Sequence, residues 1–436
     1  MSFFKTISDA APPGPYRPVA ALLFGVTLLF LGQGVFLILV PLRLTAEGLG
    51  AIGVSMVGAA YFFGIVCGAL FGDRIVRSVG NVRAYAGSTA LIICAALSLA
   101  LAHGALAWTL LRFLHGWAAA TTFLAIESWL HAATPDRWRG RVIGAYTALT
   151  LVGLGGGQLL INIYGAAALA SIDLGAILFA LSIIPVVLSK ASAPPLPLTP
   201  RRSPTEIYRR SPLAAAGCIC AGLCMGAFWA LGPVFAKEAG LVRGATSLFM
   251  ATVIAGGLSL VWPFGRLSDR IDRRLVVAGV SALGAVAALL ITLYGEEDLT
   301  RFYGLAFLFG GVIFSLYPLS VSQAADRLPS DQDMLQVTRG LLLANGFGTA
   351  SGPLIAGAGM ERIGIGGFFY FPASVLAFLC VLALWRALAR PPVPAELRKP
   401  FIHLPETTPA GLSMDPRAAP PEPELDLKAE KQPSSP

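Results

Sequence analysis

The chain has 436 residues, 56% of them hydrophobic and only 13% charged, with a formal net charge of +8 at pH 7. An ordinary soluble chain is about 25% charged, so too little polar surface remains to clothe a water-soluble globule, and the same apolar content excludes disorder for most of the length. Long unbroken apolar runs, without short alternating segments, point to an all-α membrane protein and exclude an outer-membrane barrel.

A membrane-crossing helix needs about 20 apolar residues. Residues 1–18 read as a cytoplasmic N-terminus, and the apolar run from Val19 is too long for a signal-peptide core. Spans follow at 19–42, 51–71, 84–103, 106–131, 142–164 and 167–188. A polar, Pro- and Arg-rich cytoplasmic linker occupies 189–212. Six more spans lie at 213–236, 246–264, 275–294, 301–323, 334–359 and 367–388, and the Pro-rich tail 389–436 reads as a disordered cytoplasmic segment. The expected fold is therefore twelve transmembrane helices in two six-helix bundles, 19–188 and 213–388.

Basic residues set the orientation. With both termini inside, the outer loops carry only Arg43, Lys237, Arg243, Arg301 and Arg362, while the inner loops and linker hold many more Lys and Arg. Basic patches placed this way orient a membrane protein, and no basic-aromatic module suggests nucleic acid. All six cysteines fall inside apolar runs and read as helix-packing residues. The four histidines show no ligand spacing, so neither a metal nor a cofactor is expected. No nucleophile–base constellation suggests an enzyme, and no Walker-type sequence suggests direct use of ATP.

The two halves repeat. Asp73 after span 2 recurs as Asp269 after span 8, an offset of 196 (269 − 73), and Gly153 and Gly156 in span 5 recur as Gly348 and Gly352 in span 11. Parallel repeats about an axis along the membrane normal are one of the architectures that transporters use.

The motifs that carry these repeats resemble the major facilitator superfamily. The stretches around Asp73-Arg74 and Asp269-Arg270 resemble its loop between the second and third helix of each half. Arg112-Phe113-Leu114-His115-Gly116 resembles its fourth-helix Arg-x-x-x-Gly motif, and Gly140-Arg141 with the residues before it resembles the Arg-Gly loop that follows. Glu127-Ser128-Trp129-Leu130 together with Tyr317-Pro318-Leu319-Ser320 and Asp326-Arg327 is most similar to the YcaD-like branch. The chain departs from the loop pattern at Val76 and Asp272, where the superfamily usually has glycine, and at Ala69. Gly352-Pro353 resembles an exporter motif but stands in span 11 rather than span 5, so it assigns no direction.

The resemblance implies a monomeric transporter working by alternating access in the bacterial inner membrane. It also places Asp73 near the positive N-terminal end of span 11 and Asp269 near that of span 5. A helix-dipole contact of this kind is worth about 0.3–1 kcal/mol, enough to bias a gate without locking it. Arg74, Arg77, Arg270 and Arg273 would pair with acids at helix ends, or serve only as topology anchors.

Ionisable groups inside spans are costly and mark function by default. Arg112 and His115 lie in the outer half of span 4 and Glu127 near its inner end. Arg112 reads as an anion- or substrate-attracting charge, or as packed against carbonyls. Glu127 reads as a proton site or as part of a salt-bridge network with the loop arginines. His115 reads as a hydrogen-bonding group or a proton carrier. Gln33, Gln158, Asn162 and Asn345 would line a central cavity or join helices, and Trp117, Phe228, Trp229 and Tyr317 would form an apolar wall. The expected function is secondary transport of a small solute coupled to protons; an uncoupled facilitator and a non-transporting scaffold or sensor are the alternatives.

Overall fold

In the computed structural model, residues 19–188, 211–240, 244–294, 298–327, 331–394 and 398–401 are described. Among them are twelve α-helices. The first six are α1 (Ala20–Ala46), α2 (Ala51–Val79), α3 (Asn81–Ser98), α4 (Ala105–Ala133), α5 (Arg139–Leu160) and α6 (Leu169–Val187). The second six are α7 (Pro212–Glu238), α8 (Ala245–Arg270), α9 (Arg273–Tyr294), α10 (Leu299–Ala325), α11 (Asp331–Ile363) and α12 (Gly367–Ala389). Nine of these are long and apolar enough to cross a membrane by length and composition; α3, α4 and α11 fall short. Of those three, α4 and α11 carry polar side chains on faces that turn inward.

Burial separates central from peripheral helices. In α1, α7 and α10, 78%, 83% and 78% of the apolar stretch is buried, against 44% in α2, α5, α6, α8 and α12. The outer faces instead expose large apolar side chains such as Phe24, Phe63, Leu106, Trp262 and Val381, a surface that only lipid can cover.

Helix packing repeats from half to half. In the first half α1 packs on α5 and α6 while α2 packs on α4; in the second, α7 packs on α11 and α12 while α8 packs on α10. Glycines allow the closest approaches. A methyl group on Gly116 would overlap the Tyr61 carbonyl, and one on Gly64 the Phe113 carbonyl. The equivalents in the second half are Gly310 against Val253 and Gly256 against Phe307. The offset is 192 for α2 and α8 (253 − 61, 256 − 64) and 194 for α4 and α10 (310 − 116, 307 − 113). Gly153 and Gly157, rather than Gly153 and Gly156, correspond to Gly348 and Gly352. Gly157 meets the Leu31 backbone as Gly352 meets Leu223, whereas Gly156 faces only the tip of the Leu31 side chain.

Two expectations need correction. The Asp-Arg stretches are not loops: α2 continues to Val79 and α8 to Arg270, so Asp73, Arg74, Arg77, Asp269 and Arg270 ride on the final helical turns. The Asp73–Arg77 pair at 3.3 Å, spaced i,i+4, supports that extension, as does a basic residue in the last turn of each helix. Gly80, at φ 83°, then ends α2 and begins α3 in a single left-handed residue.

The second correction concerns the tail. Residues 398–401 pack against the second half instead of leaving it. The Lys399 amide donates to Asp326 at 3.0 Å and the Phe401 amide to Asp269 at 2.9 Å. The Phe401 ring occupies the space that a side chain at Gly265 would need. Arg273 joins the same cluster, pairing with Asp269 at 2.9 Å and Asp326 at 3.3 Å and donating to the Lys399 carbonyl. Beside it, Arg274 holds Asp272 at 2.6 Å and donates to the Arg386 and Arg390 carbonyls. Burial pushes the Asp272 carboxyl up, but hydrogen bonds and charge from Arg274, with the charge of Arg398, outweigh it and hold the group below its usual range. Residues 1–18, nearly all of the linker 189–212 and the tail beyond 401 lie outside the described residues.

Candidate functional site

Four polar side chains that the sequence scatters over 80 positions meet between α1, α2 and α4. Arg112 lies one turn before His115 on α4; its guanidinium stacks on the Tyr61 ring at 4.1 Å and reaches His115 Nδ1 at 3.4 Å. Arginine can only donate, so Nδ1 accepts and Nε2 carries the ring proton. Nε2 then donates to Gln33 Oε1 at 3.1 Å, and Gln33 Nε2 donates to the Tyr61 hydroxyl at 2.6 Å. This chain of directions requires a neutral imidazole, held edge-on by Phe36, Tyr61 and Phe179. The glycine contacts of Gly64 and Gly116 bring α2 and α4 close enough for it. All four residues are buried, yet Arg112 makes no ion pair among the described residues and its Nε has no hydrogen-bond partner.

Glu127 lies apart from that cluster, nearer the other end of α4. It is fully buried, and the Tyr146 hydroxyl of α5 donates to its Oε1 at 2.9 Å. Tyr146 is also in the wall of a cavity lined by both halves, so the carboxylate sits one side chain behind that surface.

The cavity, about 190 Å³ in volume, lies between the two halves. The first half contributes Phe30, Phe62, Phe123, Tyr146, Thr147 and Thr150; the second contributes Met225, Trp229, Phe314, Asn345 and Thr349. Phe30 stacks on Phe123 at 5.0 Å, and Trp229 meets Phe314 edge-on at 6.1 Å, giving two aromatic walls. None of the lining residues carries a formal charge. Two polar atoms there lack hydrogen-bond partners: Thr147 Oγ1 and Asn345 Oδ1.

One end of this space is shut. Asn162, in the turn just after α5, donates to Ser247 of α8 at 2.7 Å, and the Ile52 amide of α2 donates to Glu361 of α11 at 3.0 Å. Ser55 of α2 fills the space beside Gly357 of α11, and a methyl on Gly58 would lie 2.6 Å from Ala230 of α7. The cavity lies on the opposite side of this seam, toward the ends that carry Asp73 and Arg139. There Asp73 pairs with Arg77 of its own helix, and Asp269 is engaged by Arg273 and the tail. Arg74 lies over the Phe71 ring, 5.7 Å from its centroid.

The sequence candidates thus divide. Arg112, His115 and Gln33 form one cluster, Glu127 forms a second, Asn345 lines the cavity, and Asn162 seals the closed end. Gln158 is fully buried, is absent from the cavity wall, and has no partner at either amide atom. Of the expected apolar wall only Trp229 faces the cavity; Trp117, Phe228 and Tyr317 do not, because their helices turn those faces toward neighbouring helices. Sequence reasoning missed Tyr61 and Tyr146. Each is one tyrosine in an apolar run, with no local signal that separates it from ordinary membrane packing.

Mapping the repeat onto these positions exposes an asymmetry. Tyr61, Arg112 and His115 correspond to Val253, Ala306 and Phe309 by the offsets of their helices. Glu127 corresponds to Val321. At these four positions the second half carries no ionisable side chain.

The chain is similar to the uncharacterized MFS-type transporter YcaD of Escherichia fergusonii, 29% identical over 378 residues that cover 85% of this chain and 96% of the relative. It is similar to YcaD of Salmonella typhi at 28% over 386 residues, covering 87% and 98%. The structure of the nucleoside transporter NupG matches with a TM-score of 0.66 at 15% identity, over 86% of this chain and 98% of that one. A bacterial homolog of the human lysosomal transporter Spinster, in an inward-facing and unoccupied conformation, matches with a TM-score of 0.65 at 14% identity, over 93% and 98%. At these identities the structural likeness concerns the fold alone. Residues 22–334 match the family model of the Major Facilitator Superfamily. With twelve helices in two repeating halves around one cavity, the chain belongs to the major facilitator superfamily, and it is a multi-pass membrane transporter.

Proposed function

We propose that this protein is a proton-coupled secondary transporter that moves a small solute across the bacterial inner membrane by alternating access. The observation that carries the reading is a cavity lined by both halves of one chain, shut at one end by the α5–α8 and α2–α11 seams. A single copy completes that cavity, so a monomer suffices. With both termini in the cytoplasm, as the basic residues favour, the shut end faces outward and the conformation is open to the cytoplasm.

Glu127 is the proton site in this reading. The Tyr146 hydroxyl bonds its carboxylate and also borders the cavity, so a solute that draws Tyr146 away removes a donor that stabilises the charged form. Protonation and occupancy are then linked through one hydrogen bond. His115 serves as a fixed hydrogen-bond relay instead, since both its ring nitrogens are already committed.

Proteoliposomes with an imposed pH gradient test this. The expected outcome is solute accumulation driven by the gradient in the native protein. Glu127→Gln should still exchange solute but should no longer accumulate it. Equal accumulation by the variant, or flux indifferent to the gradient, would reject the coupling.

A further inference from the structure

We infer that the solute is an amphipathic organic anion. Its aromatic or branched body lies in the cavity, and its anionic head, a carboxylate by preference, reaches Arg112 when Phe62 and Trp229 part. The inference rests on the transporter reading above and names the substrate class of that same cavity.

The cavity itself excludes two other classes. Its walls are aromatic and aliphatic, and Thr147 and Asn345 supply its unpartnered polar atoms. A strongly polar, uncharged solute such as a sugar would leave most of its hydroxyls facing apolar carbon. A cation would find no carboxylate in the wall, since Glu127 lies fully buried behind Tyr146 and accepts that residue's hydroxyl proton.

The missing charge is anionic. A smaller void adjoins the cavity on the shut side and shares Phe62 and Trp229 with it; Arg112 lines that void among Leu37, Val40 and Val54. Arg112 is 3% exposed, and its Nε has no hydrogen-bond partner. Its surroundings supply a tyrosine face at 4.1 Å and one long bond to His115, but no carboxylate among the described residues. A buried cation held this way is incompletely compensated, and an arriving anion completes it. The guanidinium fork suits the two oxygens of a carboxylate. Nor does the fold need a charge at this position, because the equivalent residue of α10 is Ala306, buried in an apolar core. Phe62 and Trp229 therefore stand as a door between an apolar chamber and an arginine.

Equilibrium titration calorimetry on the purified, detergent-solubilised protein at neutral pH and low salt tests this with three probes that share one ring system. They are naphthylacetate, the uncharged naphthylacetamide and the cationic naphthylethylamine, with sodium acetate as the ringless anion. Naphthylacetate should bind about tenfold or more tighter than the amide, as a charge-assisted bidentate contact predicts, and the amine should bind weakest. Arg112→Gln should reduce naphthylacetate to the level of the amide, and Arg112→Lys should retain part of the preference. If Arg112→Gln does not fold, the ranking in the unmutated protein and in Arg112→Lys still decides. Amide or amine binding as tight as naphthylacetate would overturn the inference. So would a preference that survives Arg112→Gln, or acetate alone binding as well as naphthylacetate. No membrane or gradient enters this measurement. Absent flux with a clear anion preference would therefore reject the transporter reading alone, and flux of a neutral or cationic solute without that preference would reject only the anion.

Discussion

At the shut end, Asn162 in the turn after α5 donates to the Ser247 hydroxyl of α8, and Ser247 donates in turn to the Gly244 carbonyl at 2.8 Å. Asn162→Ala removes the bond between the halves but leaves no orphaned donor, because Ser247 keeps its own acceptor. The loss is then that of one neutral hydrogen bond, about 1 kcal/mol, without a desolvation penalty. The bond exists only while α5 and α8 touch, so the whole of it biases the shut arm of the equilibrium. One kcal/mol moves the ratio of shut to open by about fivefold. Spin labels at the exposed Glu47 and Glu238, in a background without the six free cysteines, report that ratio as a distance distribution. The ratio of long- to short-distance populations should rise about fivefold in Asn162→Ala, and Ser247→Ala should add nothing when Asn162 is already alanine. An unchanged distribution, or two fully additive shifts, would show that this bond does not hold the seam.

Gly116→Ala forces α2 away from α4, because its methyl overlaps the Tyr61 carbonyl; such overpacking costs about 1–3 kcal/mol. The melting temperature in detergent should fall, whereas Gly140→Ala, with open space around the added methyl, should leave it unchanged. Asp272 yields a pH prediction. Its folded carboxyl lies below the ordinary range, so its stabilising contribution is complete above the unfolded value of about 3.9 and disappears as pH falls through the folded one. Asp272→Asn should therefore melt lower than the native protein at neutral pH and converge with it under acid; a gap of constant size would contradict this.

Composition made the twelve helices legible, since lipid demands long apolar runs and little else satisfies that demand. Helix ends were not, because α2 and α8 leave the apolar region while remaining helical. Only the Asp73–Arg77 spacing and the terminating Gly80 marked where α2 stops. Arg112, His115 and Glu127 stood out as ionisable groups in apolar surroundings. Their partners Tyr61 and Tyr146 did not, because a tyrosine shows its hydroxyl's use only through a residue distant in sequence. The placement of residues 398–401 left no mark for a similar reason: backbone amides and one carbonyl hold them, with the Phe401 ring against Gly265, and backbone groups leave no composition signal.

Consider what Arg273 and Phe401 do to leverage. The end of α8 that carries Asp269 is bolted through them to α9, to the end of α10 and to the returning tail. The corresponding end of α2, its repeat partner, has its acid tied only along its own helix among the described residues. Any swing of the molecule about its seam therefore works a stiff jaw against a compliant one, and the bending falls on the side of Asp73.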